Sequence, residues 1–585
     1  VDPNGWATDG AVALDQWEPS PDGRRVAYAV QDGGSDWRTI KVADVKSGQP
    51  LADEIRWAKF TNIAWVGNEG FLYSRFAEPR KGEEFQALNE NQTLYFHRIG
   101  TPQEEDVAVY ATPDRPKLGH SAQVTHDNRW VVITSSEGTD EKHEINLISI
   151  SSSRGKLLPV EQWKRRALVQ GLEYDWQLIE GIGDQIWFVT NRDAPRLKIV
   201  KADLTGEVAI FSDIISERKE PLARAQIVGD RLVLSYLENA ASIAEMVSVE
   251  GQPLQSIHLN AIGTASGFLG KPGDPETFYA FSSFNRPSTI FRFNSATGKS
   301  TLFGQPELSF DPSTVSIDQR FYESKDGTKV PMFIVRKKDL DLSKGAPTLL
   351  YAYGGFNVPQ LPAFDARKMA WIQSGGVYVL ANIRGGSEYG KAWHDAGRLL
   401  NKQNVFDDFI AAGEYLIKEG ITTKDKLAIE GRSNGGLLVG AVVNQRPDLF
   451  AAGHAAVGVM DMLRFDRFTA GRYWVDDYGY PNKPADFKNL FGYSPYHNIK
   501  SGVDYPAVIV TTADTDDRVV PGHSFKYTAA LQAAKLGEKP HILRVETRAG
   551  HGAGKPIDKL IEEYSDIYGF LAKWTGLELE NDTAK

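Results

Sequence analysis

The 585-residue sequence contains no cysteine. This absence excludes disulfide bonds, thiolate metal sites and cysteine nucleophiles. The longest apolar stretch, residues 435–443, is about half as long as a membrane-spanning helix requires. Basic residues are fewer than acidic ones, 66 against 76, which leaves a net charge of −10. Because nucleic acids and anionic membranes attract basic surfaces, we expect neither as a partner.

What is present is the composition of a folded globular protein, with 41% hydrophobic and 24% charged residues. A chain of this length exceeds what one compact core usually holds, so we expect more than one domain. The sequence starts at Val1, without methionine or a charged-then-apolar leader. We therefore expect that an upstream segment was processed, truncated or left out. We expect a soluble protein, in the cytoplasm or the bacterial periplasm.

Up to about residue 310 the chain repeats one theme, a Gly-, Asp- or Asn-rich turn followed by a β-branched and aromatic strand. Examples are the strand at residues 25–30 after Pro21-Asp22-Gly23 and the strand at residues 186–189 after Gly183-Asp184. This pattern predicts antiparallel hairpins. A repeat of roughly 45–60 residues is typical of four-stranded propeller blades, and this half would hold about six or seven. An array of β-sandwiches is the alternative.

From about residue 311 onward short apolar strands alternate with helical patterns. Strands are predicted at residues 347–351, 377–381, 426–430, 507–510 and 541–545, and helices at 407–419, 437–444 and 523–535. This alternation predicts an α/β domain with a doubly wound, parallel sheet covered on both faces.

The sequence Gly431-Arg432-Ser433-Asn434-Gly435 lies between a predicted strand and a predicted helix. A G-x-S-x-G motif in this context is the nucleophile elbow, a sharp turn that exposes the serine hydroxyl above the sheet. Glycines are needed because a Cβ would strike the neighbouring chain. We therefore predict that Ser433 is a nucleophile, whereas a turn used for packing alone is the alternative.

A serine nucleophile needs a histidine base and an orienting carboxylate, which in this topology follow in the order Ser, Asp, His. His551 lies between glycines just after the last predicted strand, and we predict that it is the base. Three carboxylates follow the strand at residues 507–510, and the spacing leaves Asp514, Asp516 and Asp517 as alternatives.

The second half resembles the prolyl oligopeptidase family of serine peptidases. The stretches that carry the resemblance are residues 351–356, 382–390, 431–436, 457–462, 516–521 and 549–554. The family joins a seven-bladed β-propeller to an α/β-hydrolase domain, which implies a propeller at residues 1–308 and a catalytic domain at residues 309–585. Family members carry a further segment ahead of the one that resembles Val1-Asp2-Pro3-Asn4, so we expect the first blade to be incomplete in this chain.

The resemblance also implies roles for individual residues. Matched by motif, Ser433 is the nucleophile, His551 the base and Asp516 the carboxylate of the triad. The oxyanion hole resembles one formed by the backbone N–H of Asn434 and the phenolic O–H of Tyr353. The implied proline pocket stacks the substrate ring on Trp474, anchors a substrate carbonyl with Arg518, and is lined by Phe356, Val459, Tyr478 and Val519.

These features imply a serine endopeptidase that cleaves short peptides after proline through an acyl-enzyme, with the propeller limiting substrate size. The alternatives are a related oligopeptidase or acylaminoacyl-type exopeptidase with another P1 preference, a carboxylesterase, or a propeller scaffold with a degenerate hydrolase. No phosphate-binding, dinucleotide-binding or H-E-x-x-H motif occurs, so we expect no cofactor and no metal. We expect a monomer whose partners are short proline-containing peptides.

Overall fold

The computed structural model describes residues 2–85, 87–152, 155–259, 261–552 and 554–579. Antiparallel strands dominate the chain up to Gly304, and strands alternate with helices after Val315. The predicted domain boundary between residues 308 and 309 falls in the connection between these two regions. Within the described ranges, no helix combines the length and the apolarity that crossing a bilayer demands.

The described residues of the first region form 24 strands, in six groups of four that follow one another along the chain. The first two groups comprise β1 (Val12–Pro19), β2 (Arg25–Asp32), β3 (Arg38–Asp44), β4 (Pro50–Ala58), β5 (Ala64–Val66), β6 (Gly70–Arg75), β7 (Thr93–Arg98) and β8 (Val107–Tyr110). They form one eight-stranded sheet, joined at the pair Ala58–Arg75.

Each of the other four groups is a separate sheet whose strands neighbour one another in chain order. The third group comprises β9 (Leu118–Val124), β10 (Trp130–Glu137), β11 (Glu144–Ser149) and β12 (Lys164–Val169), and the fourth β13 (Trp176–Ile182), β14 (Gln185–Thr190), β15 (Lys198–Asp203) and β16 (Ile210–Ile215). The fifth comprises β17 (Leu222–Val228), β18 (Arg231–Glu238), β19 (Ala241–Ser248) and β20 (Pro253–Ile257), and the sixth β21 (Thr264–Gly267), β22 (Glu276–Ser283), β23 (Arg286–Asn294) and β24 (Lys299–Gly304).

Consecutive groups pack face to face through shared apolar cores. Val132 of β10 packs in one cluster with Phe188 of β14, and Trp187 of β14 packs in the next cluster with Leu234 of β18. A strand such as β14 therefore buries both of its faces, which fits the repeating blades of a propeller rather than separate two-sheet sandwiches. The resemblance implied seven blades, whereas the described residues form six four-stranded groups. Six lies within the range that the repeat length itself allows.

The second region is one eight-stranded sheet in the order β25-β26-β28-β27-β29-β30-β31-β32. Its strands are β25 (Val315–Glu323), β26 (Lys329–Lys337), β27 (Thr348–Tyr351), β28 (Val377–Ala381), β29 (Leu427–Arg432), β30 (Ala452–Ala456), β31 (Ala507–Ala513) and β32 (His541–Glu546). The last six strands run parallel, and β25 and β26 are antiparallel additions at one edge.

Helices cover both faces of this sheet, as the alternating pattern predicts. They are α1 (Ala366–Gln373), α2 (Lys391–Asp395), α3 (Gln403–Lys418), α4 (Asn434–Gln445), α5 (Val475–Tyr478), α6 (Pro484–Tyr493), α7 (Gly522–Ala533) and α8 (Ile557–Thr575). Side chains of α3, α4 and α7 pack in the core on one face, and those of α1 and α8 in the core on the other. The predicted doubly wound α/β domain is confirmed.

Candidate active site

The turn between β29 and α4 has the geometry of a nucleophile elbow. Ser433 has φ 59° and ψ −116°, a left-handed conformation that is strained for a residue with a side chain. The glycines on either side are required, because a Cβ on Gly431 would lie 2.1 Å from the carbonyl oxygen of Gly435. The Ser433 N–H donates to the Ala456 carbonyl at 2.9 Å, which ties the turn to the neighbouring strand. The serine is thereby held at the carboxyl edge of the sheet.

A histidine–carboxylate pair lies at the same edge, in the loops that follow β31 and β32. His551 Nδ1 is 2.8 Å from Asp516 Oδ2, and the Asp516 side chain is fully buried. The other oxygen of Asp516 accepts hydrogen bonds from the backbone N–H groups of Arg518 at 3.0 Å and Val519 at 2.9 Å. Since the carboxylate occupies Nδ1, Nε2 is the ring nitrogen left to act as a base.

The other two carboxylates of this segment make different contacts. Asp517 pairs with the ammonium group of Lys59 in the propeller at 2.6 Å, and Asp514 Oδ1 lies 3.5 Å from the backbone nitrogen of Ala549. Of the three candidates that spacing left open, the structure places Asp516 against His551.

Ser433 and His551 share the edge of the sheet but are not joined. The hydrogen bonds between described residues include none from the Ser433 hydroxyl to His551. The Arg432 guanidinium donates to the His551 carbonyl, which fastens the histidine loop to the elbow. Hydrogen bonds between catalytic groups are often long before substrate binds and tighten only in the substrate complex.

Two groups beside Ser433 can donate hydrogen bonds to a developing oxyanion. Asn434 is the first residue of α4, so its N–H has no acceptor within the helix. The Tyr353 phenol faces Ser433; burial and the negative charge of Asp477 raise its pKa to about 12, although the Ser433 hydroxyl acts in the opposite direction. The phenol is therefore neutral near pH 7 and keeps its proton for donation.

Four of the five predicted apolar pocket residues belong to one core cluster, and the fifth packs against it. The Trp474 ring stacks on Phe465 with centroids 6.3 Å apart, and Phe356 meets Tyr478 edge to face at 5.3 Å. The members of the predicted pocket in this cluster are Val459, Trp474, Tyr478 and Val519, and Phe356 packs against them.

Arg518 reaches the propeller. Its guanidinium binds Asp36 in two places, with Nε 3.0 Å from Oδ2 and Nη2 2.6 Å from Oδ1. A guanidinium carries five N–H donors, so this pair leaves donors for a substrate carbonyl. Asp36 and Lys59 contact the loop that carries Asp516 and Arg518. Sequence reasoning missed both, since neither lies in a motif and both meet the second domain only in the folded chain.

Two cavities flank Arg518 between the domains. One, of about 470 Å³, is bounded by Trp474 and Arg518 on the hydrolase side and by Phe60, Gln92 and His120, among others, on the propeller side. The other, of about 560 Å³, is lined in part by Arg518 and His551. Arg518 and His551 therefore border the space between the two domains. The propeller residues carry no signal in the sequence, because their strands repeat like all the others.

Comparisons with known proteins cover both halves of the chain. The family model described as the N-terminal β-propeller domain of prolyl oligopeptidase matches residues 1–306, and the model of the prolyl oligopeptidase family matches residues 362–578. The chain is 39% identical to the prolyl endopeptidase of Elizabethkingia miricola, over 99% of this chain and 81% of that protein. A solved structure from a study of two prolyl endopeptidases is 55% identical, covers 100% of this chain and 82% of its own, and has a TM-score of 0.67. Prolyl oligopeptidase B from Galerina marginata, bound to a 35mer substrate, is 33% identical over 99% of this chain and 82% of its own, with a TM-score of 0.93.

Proposed function

This chain belongs to the prolyl oligopeptidase family and is a serine-type peptidase, and we propose that it hydrolyses short peptides on the carboxyl side of proline through Ser433, His551 and Asp516. The observation that carries the assignment of residues is the 2.8 Å contact between His551 and Asp516 at the sheet edge that also holds the strained Ser433.

In the proposed reaction the Ser433 hydroxyl attacks the carbonyl carbon of the substrate's proline residue, and His551 Nε2 takes the hydroxyl proton. Asp516 stabilises the imidazolium that forms. The oxyanion accepts hydrogen bonds from the Asn434 N–H and the Tyr353 phenol. His551 then protonates the leaving amine, which departs and leaves an acyl-enzyme. A water molecule, deprotonated by His551, hydrolyses the ester and restores Ser433.

The proposed preference for proline rests on the shape of the pocket. A pyrrolidine ring is flat and apolar, so it packs on the indole of Trp474 with no charged partner needed. Arg518 would hold a main-chain carbonyl of the substrate through the donors that Asp36 leaves over. An oligopeptidase for basic residues would need acidic side chains in this pocket, whereas its core members are apolar and aromatic.

We further propose that the protein acts as a monomer on peptides small enough to pass between its domains. The candidate nucleophile, base, carboxylate and oxyanion donors all come from one chain, and the propeller bounds one side of the cavity beside Trp474.

The test is cleavage of a blocked peptide with a chromophore after proline, beside matched peptides with arginine or alanine at that position. We expect the proline peptide to be cleaved far faster than the others. Ser433→Ala should lower turnover by a factor on the order of 10⁶, by analogy with other serine peptidases. Retention of a tenth of the activity would refute the role of Ser433, and a faster alanine or arginine peptide would refute the specificity.

A further inference from the structure

Lys402 is a buried cation that none of the steps above uses. It directly precedes α3, and its side chain is only 1% exposed. Its ammonium group has three acceptors, Gly354 O at 2.9 Å, Asn434 Oδ1 at 3.0 Å and Asp477 Oδ2 at 3.4 Å. All three ammonium protons can thus be used inside the protein.

The side chain of Asn434 joins the same structure from the other side. Its Nδ2 donates to the carbonyl of Tyr353 at 2.6 Å, while its Oδ1 also accepts from the Tyr478 hydroxyl at 2.9 Å. Lys402 and Asn434 therefore bind two successive carbonyls, those of Tyr353 and Gly354, and bind each other. The approach is close, because a Cβ on Gly355 would lie 2.7 Å from Asn434 Nδ2.

These contacts connect the two candidate oxyanion donors. The phenol belongs to Tyr353, in the loop after β27, and the N–H belongs to Asn434, at the start of α4. The two segments are 81 residues apart in the chain, and the Asn434 side chain with Lys402 holds them together. Stabilisation of an oxyanion depends on donors placed in advance, so a small shift of one segment against the other weakens it.

We propose that Lys402 is a positioning residue for the peptidase reaction, which fixes the Tyr353 loop and the start of α4 so that both donors face one oxyanion. This inference rests on the proposed function. The positive charge is held in place by Asp477, which also accepts hydrogen bonds from the Phe356 N–H at 3.0 Å and from His394 Nε2 at 2.8 Å.

The competing explanation is that Lys402 only stabilises the fold. The energetics of burying a charge argue against this explanation. A buried ion pair is often no more stabilising than apolar residues of similar volume. Stability alone therefore gives little reason to place an ammonium group here. The ammonium group of Lys402 binds a backbone carbonyl, a side-chain amide oxygen and a carboxylate at once. An apolar side chain cannot make any of these contacts.

The test compares Lys402→Met with Lys198→Met, a control that removes a lysine of the propeller whose side chain is 10% exposed and paired with Asp213. Lys402→Met should lower kcat for the proline peptide about 10- to 100-fold and leave KM within about threefold, somewhat less than the loss of one oxyanion donor. Lys198→Met should change neither. Equal effects of both variants, or a change in KM alone, would overturn the proposal.

A second readout uses two inhibitors that share one peptide. A peptide ending in prolinal adds to Ser433 as a hemiacetal whose oxygen occupies the oxyanion site, whereas the matching peptide acid binds without forming that bond. Lys402→Met should weaken the binding of the aldehyde by about the same factor by which it lowers kcat. The binding of the acid should not change. Equal weakening of both inhibitors would show that Lys402 only supports the fold.

A third variant covers the case in which Lys402→Met does not fold. Asn434→Ala keeps the backbone donor and removes the side chain through which Lys402 acts, and it should show the same selective loss of kcat. Where Lys402→Met does fold, the two losses should not add in the double variant, because both substitutions break one connection. Full kcat in Asn434→Ala, or additive losses, would overturn the proposal. Absence of post-proline cleavage in the unmodified protein would instead refute the proposed function.

Discussion

Replacement of Trp474 by alanine tests whether this residue determines the preference for proline without taking part in the chemical step. One face of the indole packs on Phe465, with the planes 11° apart, and the ring also borders the cavity of about 470 Å³. A proline ring in that cavity would gain contact that an alanine side chain cannot make. Such differences in packing are about 1–3 kcal/mol, which corresponds to roughly a 10- to 200-fold preference.

We therefore expect Trp474→Ala to lower kcat/KM for the proline peptide about 10- to 200-fold more than for the alanine peptide. The substitution also opens the core, at a cost of about 3–5 kcal/mol in the free energy of unfolding, so both assays must be run well below the melting temperature of the variant. Phe465→Leu is the matched control, since Phe465 supports the indole from behind and is fully buried.

Equal losses on both peptides would refute the stacking role and show that Trp474 only supports the domain. The preference for proline would then have to come from Phe356, Tyr478 and Val519.

Three further predictions concern the triad, the propeller and substrate size. Asp516→Asn should lower kcat about 10⁴-fold while Asp514→Asn changes it little, and the reverse order, measured with the proline peptide, would show that the wrong carboxylate was chosen. His97 lies between Asp106 and Asp53; burial disfavours its protonated form, but these two partners outweigh burial and raise its pKa to about 9. Because a raised pKa favours the folded state while the group is protonated, this stability is fully present below about pH 6.5 and is lost as pH rises through about 9. The free energies of unfolding of the wild type and of His97→Gln, measured by urea titration, should thus approach each other as the pH rises from 6.5 to 9.5. A difference that stays constant over this range would contradict the prediction. Flexible peptides should be cleaved after internal prolines, whereas native globular proteins should resist this cleavage. Rapid cleavage of a native protein would show that the propeller does not limit access.

Local signals in the sequence were sufficient to predict the fold of the second region and the positions of Ser433 and His551 in it. The glycines around Ser433 predict the elbow because a sharp turn between strand and helix leaves no room for a Cβ. The position of His551 follows from strand order, since the carboxyl ends of parallel strands meet at one edge of a sheet. The structure places both residues as these rules predict, whereas the choice of Asp516 over its neighbours needed the family resemblance.

The number of blades could not be obtained in this way. Each propeller strand buries apolar residues against the next blade, so every repeat satisfies the same packing requirement and none is marked as first or last. The chain length at roughly 45–60 residues per repeat allows six or seven, and the resemblance favoured seven where the described residues form six groups.

Contacts between distant segments were also invisible in the sequence. Asp36 is 482 residues from Arg518 in the chain, and Lys59 is 458 residues from Asp517. A charged residue in a turn of a β-rich repeat is usually solvated, so nothing in the local pattern marks Asp36 or Lys59 as partners of the catalytic loop. The sequence did not mark Lys402 either, because its acceptors come from three separate segments that meet only in the folded chain.

These distant contacts converge on one short segment. Between Asp516 and Val519 the chain supplies the candidate triad carboxylate, a buried partner of the propeller, the proposed carbonyl anchor and one residue of the predicted proline pocket. The propeller binds the middle of this segment through Asp36 and Lys59. Asp516 itself accepts hydrogen bonds from the backbone N–H groups of Arg518 and Val519. A displacement of the propeller would therefore act on the carboxylate and on the anchor together. The candidate active site thus depends on both domains, although every residue of its triad lies in one.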